Sequence, residues 1–477
     1  MKQRSPWIIF ALVTLAQFMV VLDISITNVA LPAIKAQLNF TDSTLQWVIT
    51  AYALAFGGFL LLGGRAADLF GRKRTLLIGL VSFSAISLLI GLSTSAVMLI
   101  VLRAIQGLAA ALMSPSALSI VLTTFEEGPQ RNRALAYWTL VATGGAAAGL
   151  LLGGFLTQYF SWHWNFFINV PIGALVALLI WRIVPTREKE ERTKKLDLPG
   201  AALVTTSLIT LAYGFSQAPS WGWFTLPTLG TIGIALALMI AFIYNESRAE
   251  HPLMPLSIFK IRNVSGANLM MAPIYASMLG TFFVATLYMQ NVLHYSPFAA
   301  GLSFLPFPVI LAIMSTRIPS LVARYGFKRF LIIGPLLASM GMLWLSFMPV
   351  EGNYFINLLP AFIIMPIGMG MTFMPIIAAA TSGVPGHEAG LASGLISTSQ
   401  QMGGALGLAI ISGIAASVSA AASDPGSVAA LVAGFDRALL TAAVFMLVAL
   451  AIGAVVIKPA RRAGTKAASQ HLAEAGV

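Results

Sequence analysis

The sequence predicts an all-α polytopic membrane protein with fourteen spanning helices, arranged as two six-helix halves with two inserted helices between them. Of the 477 residues, 58% are hydrophobic and only 9% are charged, whereas soluble domains carry about 25% charged residues. The apolar residues fall in runs long enough to cross a hydrocarbon core, which takes about 20 residues of helix. Short patterns in the first part of the chain also recur in the second part, which indicates an internal structural repeat.

Fourteen apolar segments are the candidate spanning helices, and an even number places both chain ends on one side of the membrane. Lys2 and Arg4 before the first segment resemble the start of a signal peptide, but the apolar run is too long and no small-residue cleavage site follows. We therefore expect this segment to be retained as the first spanning helix. The predicted limits are 7–30, 44–64, 75–93, 96–121, 133–157, 166–184, 198–216, 225–244, 266–290, 299–322, 329–348, 354–378, 389–417 and 434–457.

Basic residues indicate the side of the membrane on which each loop lies. The chain ends and the gaps after even-numbered helices hold most Lys and Arg residues, including the cluster from Arg182 to Lys195. The gaps after odd-numbered helices hold Lys35 and little else that is basic, apart from Arg437 at the start of the last helix. Because basic loops stay in the cytoplasm, we expect both termini to be cytoplasmic, in a plasma membrane that we take to be a bacterial inner membrane. The short, nearly neutral outer loops argue against a receptor ectodomain.

Three short patterns recur at nearly one spacing along the chain. The pattern at 71–74 recurs at 326–329, the one at 113–115 at 373–375, and the one at 144–146 at 403–405. Chance could produce any one of these, but three together favour two related halves. The predicted organisation is an N-terminal six-helix bundle (1–190), a linker with two additional spanning helices (191–262), a C-terminal six-helix bundle (263–460) and a cytoplasmic tail (461–477).

The composition also argues against several function classes. The chain has no cysteine, and its five histidines include no pair at metal-ligand spacing, so we expect no metal site and no thiol chemistry. No phosphate-binding loop occurs, so ATP is not the expected energy source. The net charge of +12 is explained by basic cytoplasmic loops rather than by nucleic-acid binding. We therefore expect no enzyme activity, no cofactor and no nucleic-acid partner.

Three ionisable residues stand out inside the predicted helices, where ionisable groups are functional candidates by default. Asp23 and Arg103 are the stronger candidates, since Arg317, near the inner end of the tenth helix, is expected to extend to the surface. At a rise of about 1.5 Å per residue, Asp23 lies roughly 24 Å from the inner end of the first helix and Arg103 roughly 10 Å below the outer surface. At these similar depths they could form a pair or share a polar cavity. Asp23 is also the only acidic residue that the predicted limits place well inside a span. A carboxylate between desolvation and a cation can exchange a proton, so we predict proton coupling; a static ion pair that fixes helix packing is the alternative.

A glycine-punctuated basic turn at 63–74 separates the second and third predicted helices. Gly64 and Gly71 allow close backbone approach and a sharp reversal of the chain. Asp68, among several cations, indicates an ion pair with Arg72 that acts as a cytoplasmic gate. Charges that only orient the protein would explain the basic residues but not the aspartate.

Small and adaptable side chains define two further candidate regions. Glycines at four-residue spacing in the fifth helix permit close helix contact, either as a flexing seam between the halves or as ordinary tight packing; they are Gly145, Gly149, Gly153 and Gly154. Polar, aromatic and methionine side chains could line a substrate cavity, since methionine adapts to varied apolar ligands, although core and lipid-facing packing would also explain them. These candidates are Asp23, Tyr52, Gln106, Tyr275, Met278, Phe282 and Gln290.

Together these motifs resemble the fourteen-helix drug:proton antiporters, the multidrug efflux transporters of the major facilitator superfamily. The segments that carry the resemblance are 22–32, 64–74, 102–107 and 162–171. The resemblance implies a major facilitator fold, alternating access driven by the proton gradient, proton coupling at Asp23 and Arg103, and a cytoplasmic gate at Asp68 and Arg72. The chain departs from the family pattern at three places: Leu150 follows Gly149 where proline is usual, His163 replaces an arginine, and Gln400 or Gln401 replaces another.

The predicted function is proton-coupled efflux of hydrophobic or amphiphilic small molecules, with antibiotic resistance as an expected consequence. The expected partners are these substrates, protons and the lipid bilayer, and a monomer could carry the function. A major facilitator that acts as a facilitator or a lipid or metabolite translocase without antiport is the first alternative, which the missing proline after Gly149 favours. A membrane receptor or polytopic enzyme is a remote alternative.

Overall fold

The computed structural model describes residues 5–125, 128–185, 197–250, 252–382, 384 and 389–459, and in these residues all regular secondary structure is helical. Fourteen of its helices are long and apolar enough to cross a membrane. The predicted fold class is therefore confirmed. The predicted tail at 461–477 and the charged linker at 186–196 lie outside the described residues.

We label the spanning segments in chain order and call the end that the charge pattern assigns to the cytoplasm the inner end. The segments are α1 (Pro6–Leu38), α2 (Trp47–Phe70), α3 (Arg72–Gly91), α4 (Ala96–Thr124), α5 (Pro129–Tyr159), α6 (Trp164–Phe167 and Asn169–Ile183), α7 (Leu198–Trp221), α8 (Leu226–Arg248), α9 (Arg262–Leu287 with a π-helical turn, Tyr288–Val292), α10 (Pro297–Ser303 and Pro306–Tyr325), α11 (Phe327–Leu345), α12 (a π-helical turn, Tyr354–Leu358, and Leu359–Thr381), α13 (Ala389–Ala420) and α14 (Val428–Val455). A short helix, Asp42–Leu45, precedes α2, and a 3-10 helix, Leu256–Lys260, precedes α9.

Several helices extend beyond the predicted limits, because backbone hydrogen bonding continues where the apolar run stops. The last helix begins at Val428, where the side chain of Ser427 accepts a hydrogen bond from the backbone N–H of Ala430. This cap places Asp436 inside α14. The expectation that Asp23 is the only acidic residue well inside a span was therefore wrong.

The packing of helices repeats along the chain. In the first part α1 packs against α5, α3 against α4 and α3 against α6; in the second part α9 packs against α13, α11 against α12 and α11 against α14. The inserted pair α7 and α8 packs together, and α7 also contacts α2 and α13. Contacts between the first and second parts join α2 to α13, α5 to α10 and α1 to α9. The division into the predicted domains stays a prediction.

The turns that link α2 to α3 and α10 to α11 share one backbone feature. Gly71 has a φ of 94° and Gly326 has a φ of 78°, a region that side chains with a Cβ rarely adopt. Each glycine stands between the end of one spanning helix and the start of the next. The recurring pattern at 71–74 and 326–329 therefore corresponds to two turns of similar geometry.

Candidate functional site

The centre of the first six helices holds a buried ion pair between α1 and α4. Arg103 Nη1 lies 2.5 Å from Asp23 Oδ2, and the two side chains are 1% and 0% exposed. This contact confirms the predicted pairing of the two residues. A buried pair of this kind is strongly interdependent, because removing one partner leaves an uncompensated charge, at a cost of about 3–5 kcal/mol.

Neutral amides complete the hydrogen bonding of the Asp23 carboxylate. Its Oδ1 atom accepts hydrogen bonds from Gln106 Nε2 on α4 and from Asn169 Nδ2 on α6, each at 3.0 Å. Gln106 Nε2 also donates to Ser87 Oγ on α3 at 2.9 Å. We call Asp23, Ser87, Arg103, Gln106 and Asn169 the Asp23 network. It joins four helices through buried polar side chains.

Arg103 also has partners that are independent of Asp23. Its Nε atom donates to the carbonyl oxygen of Val48 at 2.9 Å, and Nη1 donates to Gln106 Oε1 at 2.5 Å. The guanidinium carbon lies 4.3 Å from the centroid of the Tyr52 ring, a distance at which a cation is attracted to the ring face. These contacts anchor Arg103 to α2 and to Gln106, but none of them supplies the negative charge that Asp23 provides.

Besides Asp23, two predicted substrate contacts lie in or against this network, which also contains two residues that the sequence analysis missed. Gln106 and Tyr52 are both buried against the ion pair, so neither side chain lines an open cavity in this conformation. Ser87 and Asn169 were given no role, although each is a polar residue in or at the start of an apolar run. That signal alone could not show which helix faces meet.

The predicted substrate contacts on α9 lie among aromatic side chains of the second six helices. The Tyr275 ring packs against a phenylalanine of α12 at a centroid distance of 5.8 Å. The centroid of the Phe282 ring lies 5.0 Å from that of Phe304 and 4.8 Å from that of Phe307, both in the α10 segment. Met278 is partly buried against the same core. These side chains form an apolar wall that is separate from the Asp23 network.

Gln290 links the first and second parts of the molecule at the outer end. Its Nε2 atom donates a hydrogen bond of 2.9 Å to the carbonyl oxygen of Val29 on α1. Beside it, an open cavity of about 560 Å³ is lined by residues that include Lys35, Asn39 and Asn291. Gln290 therefore bridges α9 and α1, a contact that must break if the outer end opens.

The glycines of α5 mostly pack within the first six helices rather than between the halves. A Cβ added to Gly145 would lie 3.2 Å from the side chain of Phe18, and one added to Gly153 would lie 2.8 Å from the carbonyl oxygen of Ile26. Gly154 alone of the four faces α10, where an added Cβ would lie 2.6 Å from the carbonyl oxygen of Pro297. The expected seam is thus chiefly a contact between α5 and α1, the helix that carries Asp23.

We predict that Gly149→Ala weakens both stability and transport. The added Cβ would lie 2.6 Å from Ser25 Cβ and 2.8 Å from the carbonyl oxygen of Leu22, so α1 must shift beside Asp23. Overpacking of this kind costs about 1–3 kcal/mol. The matched control is Gly144→Ala, because nothing lies within 4 Å of a Cβ at that position. Thermal unfolding in detergent and substrate flux in liposomes measure the effect; equal behaviour of the two variants would contradict it.

The segment 63–74, which was predicted to be a turn, is helical except at Gly71, because α2 continues to Phe70. It contains the predicted ion pair, but the pair is partly exposed. Arg72 Nη2 lies 3.6 Å from Asp68 Oδ1, with side-chain exposures of 28% and 63%. Exposed pairs of this kind contribute about 0–1 kcal/mol. Gly63, rather than Gly64, makes the close approach, since a Cβ there would clash with the carbonyl of Ala111, whereas Gly64 has ordinary room. A gating role for Asp68 and Arg72 stays a prediction.

Asp436 is a second carboxyl group inside a spanning helix. It is partly buried on α14 and receives a hydrogen bond from the backbone N–H of Met348. Its Oδ1 atom is buried and has no hydrogen-bond partner among the described residues. Asp436 is therefore a rival to Asp23 for proton binding, and a test of proton coupling must distinguish the two.

His163 shows how one departure from the family pattern is accommodated. Its ring stacks on Trp162 at a centroid distance of 3.9 Å, and burial lowers the pKa of His163 below its usual value of 6.5. The ring is therefore neutral at pH 7 and does not supply the permanent charge of an arginine. Trp162 Nε1 donates to Gln37 Oε1 at 2.6 Å, which fixes the start of α6 against the outer end of α1.

Comparison with known proteins identifies the group to which this sequence is similar. The family model described as Major Facilitator Superfamily matches residues 13–408. The puromycin resistance protein pur8 of Streptomyces alboniger is 38% identical over 94% of this chain and 90% of its own length. The cephamycin export protein CmcT of Amycolatopsis lactamdurans is 39% identical over 91% of this chain and 88% of its own length.

Solved structures show the same fold at low sequence identity. A peptide transporter POT in complex with sulfate superposes with a TM-score of 0.67 at 15% identity, covering 94% of this chain and 96% of that one. An auto-inhibited POT family peptide transporter also gives a TM-score of 0.67, at 16% identity, covering 92% of this chain and 96% of that one. At these identities the likeness concerns the fold alone.

Proposed function

Because the chain belongs to the major facilitator superfamily, we propose that it is a proton-coupled exporter of hydrophobic or amphiphilic small molecules that works by alternating access. Membership of this family makes it a transport protein rather than an enzyme. The similar proteins include ones named for cephamycin export and for puromycin resistance. The single observation that carries proton coupling is the Asp23–Arg103 pair, since a buried ion pair can be broken by one proton.

The Asp23 network suggests how a proton would change the conformation. With Asp23 ionised, the carboxylate and Arg103 neutralise each other in a site with almost no exposure. A proton on Asp23 leaves the guanidinium of Arg103 as an uncompensated buried charge, which costs about 3–5 kcal/mol. Protonation therefore favours a conformation in which Arg103 gains water or another partner. Exchange follows if substrate binds best to the state with Asp23 ionised.

In this conformation, contacts between the two parts of the molecule close its outer end. Gln290 bonds to Val29 across α9 and α1, and the backbone N–H of Phe298 on α10 donates to Gln158 Oε1 on α5 at 3.2 Å. Gly154 packs against α10 in the same region. These contacts hold the two parts of the molecule together at the outer end. Alternating access would require them to separate while the inner end closes.

The proposed setting is the plasma membrane of a bacterium, with both termini in the cytoplasm. The multi-pass architecture is a property of the fourteen spanning helices, and the similar proteins come from bacteria. The orientation rests on the basic loops of the predicted inner side. In this proposal the protein acts as a monomer, with substrate and protons as its partners and without a cofactor.

The decisive experiment uses purified protein in liposomes that are acidic inside and contain a pH-sensitive dye. Puromycin, ethidium and other lipophilic compounds are added one at a time, and protein-free liposomes are the control. We expect at least one compound to release protons from the lumen. Substrate flux without proton movement would refute antiport and support a facilitator, the alternative that Leu150 in place of proline favours. No flux of any compound would contradict drug export.

A further inference from the structure

The inserted helix α7 contacts α2, and the segment after α8 contacts the inner end of α2. Near the outer end, Trp47 Nε1 on α2 donates to Ser216 Oγ on α7 at 3.1 Å. Further inward, Gly58 of α2 packs against Thr205 of α7. At the inner end Arg65, in the last two turns of α2, donates a hydrogen bond to the carbonyl oxygen of Pro252. The inserted pair is thus attached to α2, the helix that leads into the turn at Gly71.

Two buried carboxyl groups organise this inner attachment. Glu246, near the end of α8, is 3% exposed, and its oxygens accept hydrogen bonds from the backbone N–H groups of Leu253 at 3.3 Å and Met254 at 2.9 Å. These bonds fold the segment after α8 back against the helix end. Because Pro252 lies in the same segment, Glu246 positions the carbonyl that Arg65 uses.

Asp197, the second of these carboxyl groups, caps the start of α7. It is 8% exposed, and its Oδ1 atom accepts the backbone N–H of Gly200 at 2.8 Å. Asn245 Nδ2 donates to both of its oxygens, at 3.2 and 3.0 Å. Asp197 therefore ties the start of α7 to the end of α8.

The two carboxyl groups also meet each other. A Cβ added to Gly200 would lie 2.5 Å from Asp197 Oδ2 and 2.7 Å from Glu246 Oε1, so both groups converge on one small space. Two adjacent buried carboxylates resist ionising together, so one of the two retains a proton more readily than an isolated carboxyl group does.

We propose that Asp197 and Glu246 share one proton opposite Arg65 and so form a clamp that positions the inner end of α2 on the inserted helices. With one proton, the pair carries a single negative charge, which Arg65 balances. The other charged group that faces Arg65 from α2 is Asp68. Loss of the shared proton would leave two adjacent carboxylates beside one cation, and their repulsion would loosen the clamp. The effect of the clamp on transport rests on the proposed function, whereas the existence of the clamp does not.

The sign of the pH effect follows from the shared proton. In the proposed clamp, the folded protein holds this proton at a pH at which the separate carboxyl groups of the unfolded chain have lost theirs. The ordinary pKa values of aspartate and glutamate side chains are about 3.9 and 4.3. The stabilisation is therefore present at low pH and is lost as the pH rises until the pair releases the proton. Glu246→Gln and Asp197→Asn each replace the pair by one carboxylate and one amide, which cannot lose that proton.

The test is a thermal-unfolding series on the full-length protein in detergent, from about pH 5.5 to 8.5, for wild type, Glu246→Gln, Asp197→Asn and the control Glu250→Gln. Glu250 is exposed near the same end of α8. We expect the midpoint of wild type and control to fall as the pH rises, and that of both clamp variants to fall measurably less. Equal pH slopes in all four proteins would overturn the proposal, whatever the absolute stabilities.

A second variant keeps the proposal testable if the clamp variants unfold. Arg65→Gln removes the cation that favours ionisation of the pair, so the loss of stability should move to higher pH. A shift to lower pH, or no shift, would contradict the shared proton. Because unfolding is measured without substrate or gradient, failure here is distinct from failure of proton-coupled export.

Discussion

Asp23→Asn is expected to abolish substrate-triggered proton release in liposomes, reducing it to the level of protein-free controls. The amide has nearly the same shape as the carboxyl group, and its oxygen can still accept hydrogen bonds from Gln106 and Asn169. It cannot bind and release a proton, however, and it leaves Arg103 without a counter-ion, as protonation would. The variant is therefore a permanent mimic of the protonated state.

The control for this prediction is Asp424→Asn, the same change at an exposed site in the loop before α14. It should exchange protons as wild type does. Retention of gradient-driven exchange in Asp23→Asn would refute the proposed role of the carboxyl group. If Asp436→Asn then lost the exchange, proton binding would be assigned to α14 instead. Size-exclusion profiles of each variant show whether the protein is folded before transport is compared.

Arg103→Met is expected to produce a large loss of stability, about 3–5 kcal/mol, because it leaves the Asp23 carboxylate buried without its cation. The double variant Asp23→Asn with Arg103→Met removes both charges. Replacing a buried pair by uncharged side chains of similar size is often neutral or stabilising. We therefore expect the double variant to be more stable than Arg103→Met alone, although it exchanges no protons.

Thermal unfolding of wild type, both single variants and the double variant forms a double-mutant cycle that isolates the pair. Additive losses would show that the two residues do not interact as the 2.5 Å contact indicates. A strong coupling together with unimpaired proton exchange in the double variant would favour the alternative of a static ion pair. The cycle thus separates a structural role from a role in proton coupling.

The pairing of Asp23 with Arg103 was predictable, because the helix rise converts sequence position into distance along each helix and places the two residues at similar depths. Their neighbours were not predictable in the same way. Gln106 was expected in a substrate cavity and Asn169 was not assigned, yet both donate to Asp23 Oδ1. Which side of each helix faces α1 depends on packing among α3, α4 and α6. Hydropathy and spacing carry little information about that rotation.

The helix that the α5 glycines contact and the place of Asp436 inside α14 were also not predictable from the sequence. The sequence showed that α5 could approach another helix closely, but not that its partner at Gly149 would be α1. Asp436 was missed because the cap at Ser427 lengthens α14 beyond the apolar run. At the inner end, the convergence of Glu246 and Asp197 brings together the start of α7 and the end of α8. Such a contact leaves no pattern along the chain.

Sequence alone was enough to predict the number of spanning helices and the repeat of the turn at Gly71, both of which the structure confirms, together with an orientation and a depth of the buried charges that stay predictions. These properties follow from hydrocarbon thickness, loop charge and backbone conformation, which act on local stretches of chain. The packed structure was needed to identify the partners of Asp23, the contact of α5 with α1 and the attachment of the inserted helices to Arg65. Those depend on how helices distant in sequence rotate and pack, since each buried polar group must find its hydrogen-bond partner on a neighbouring helix.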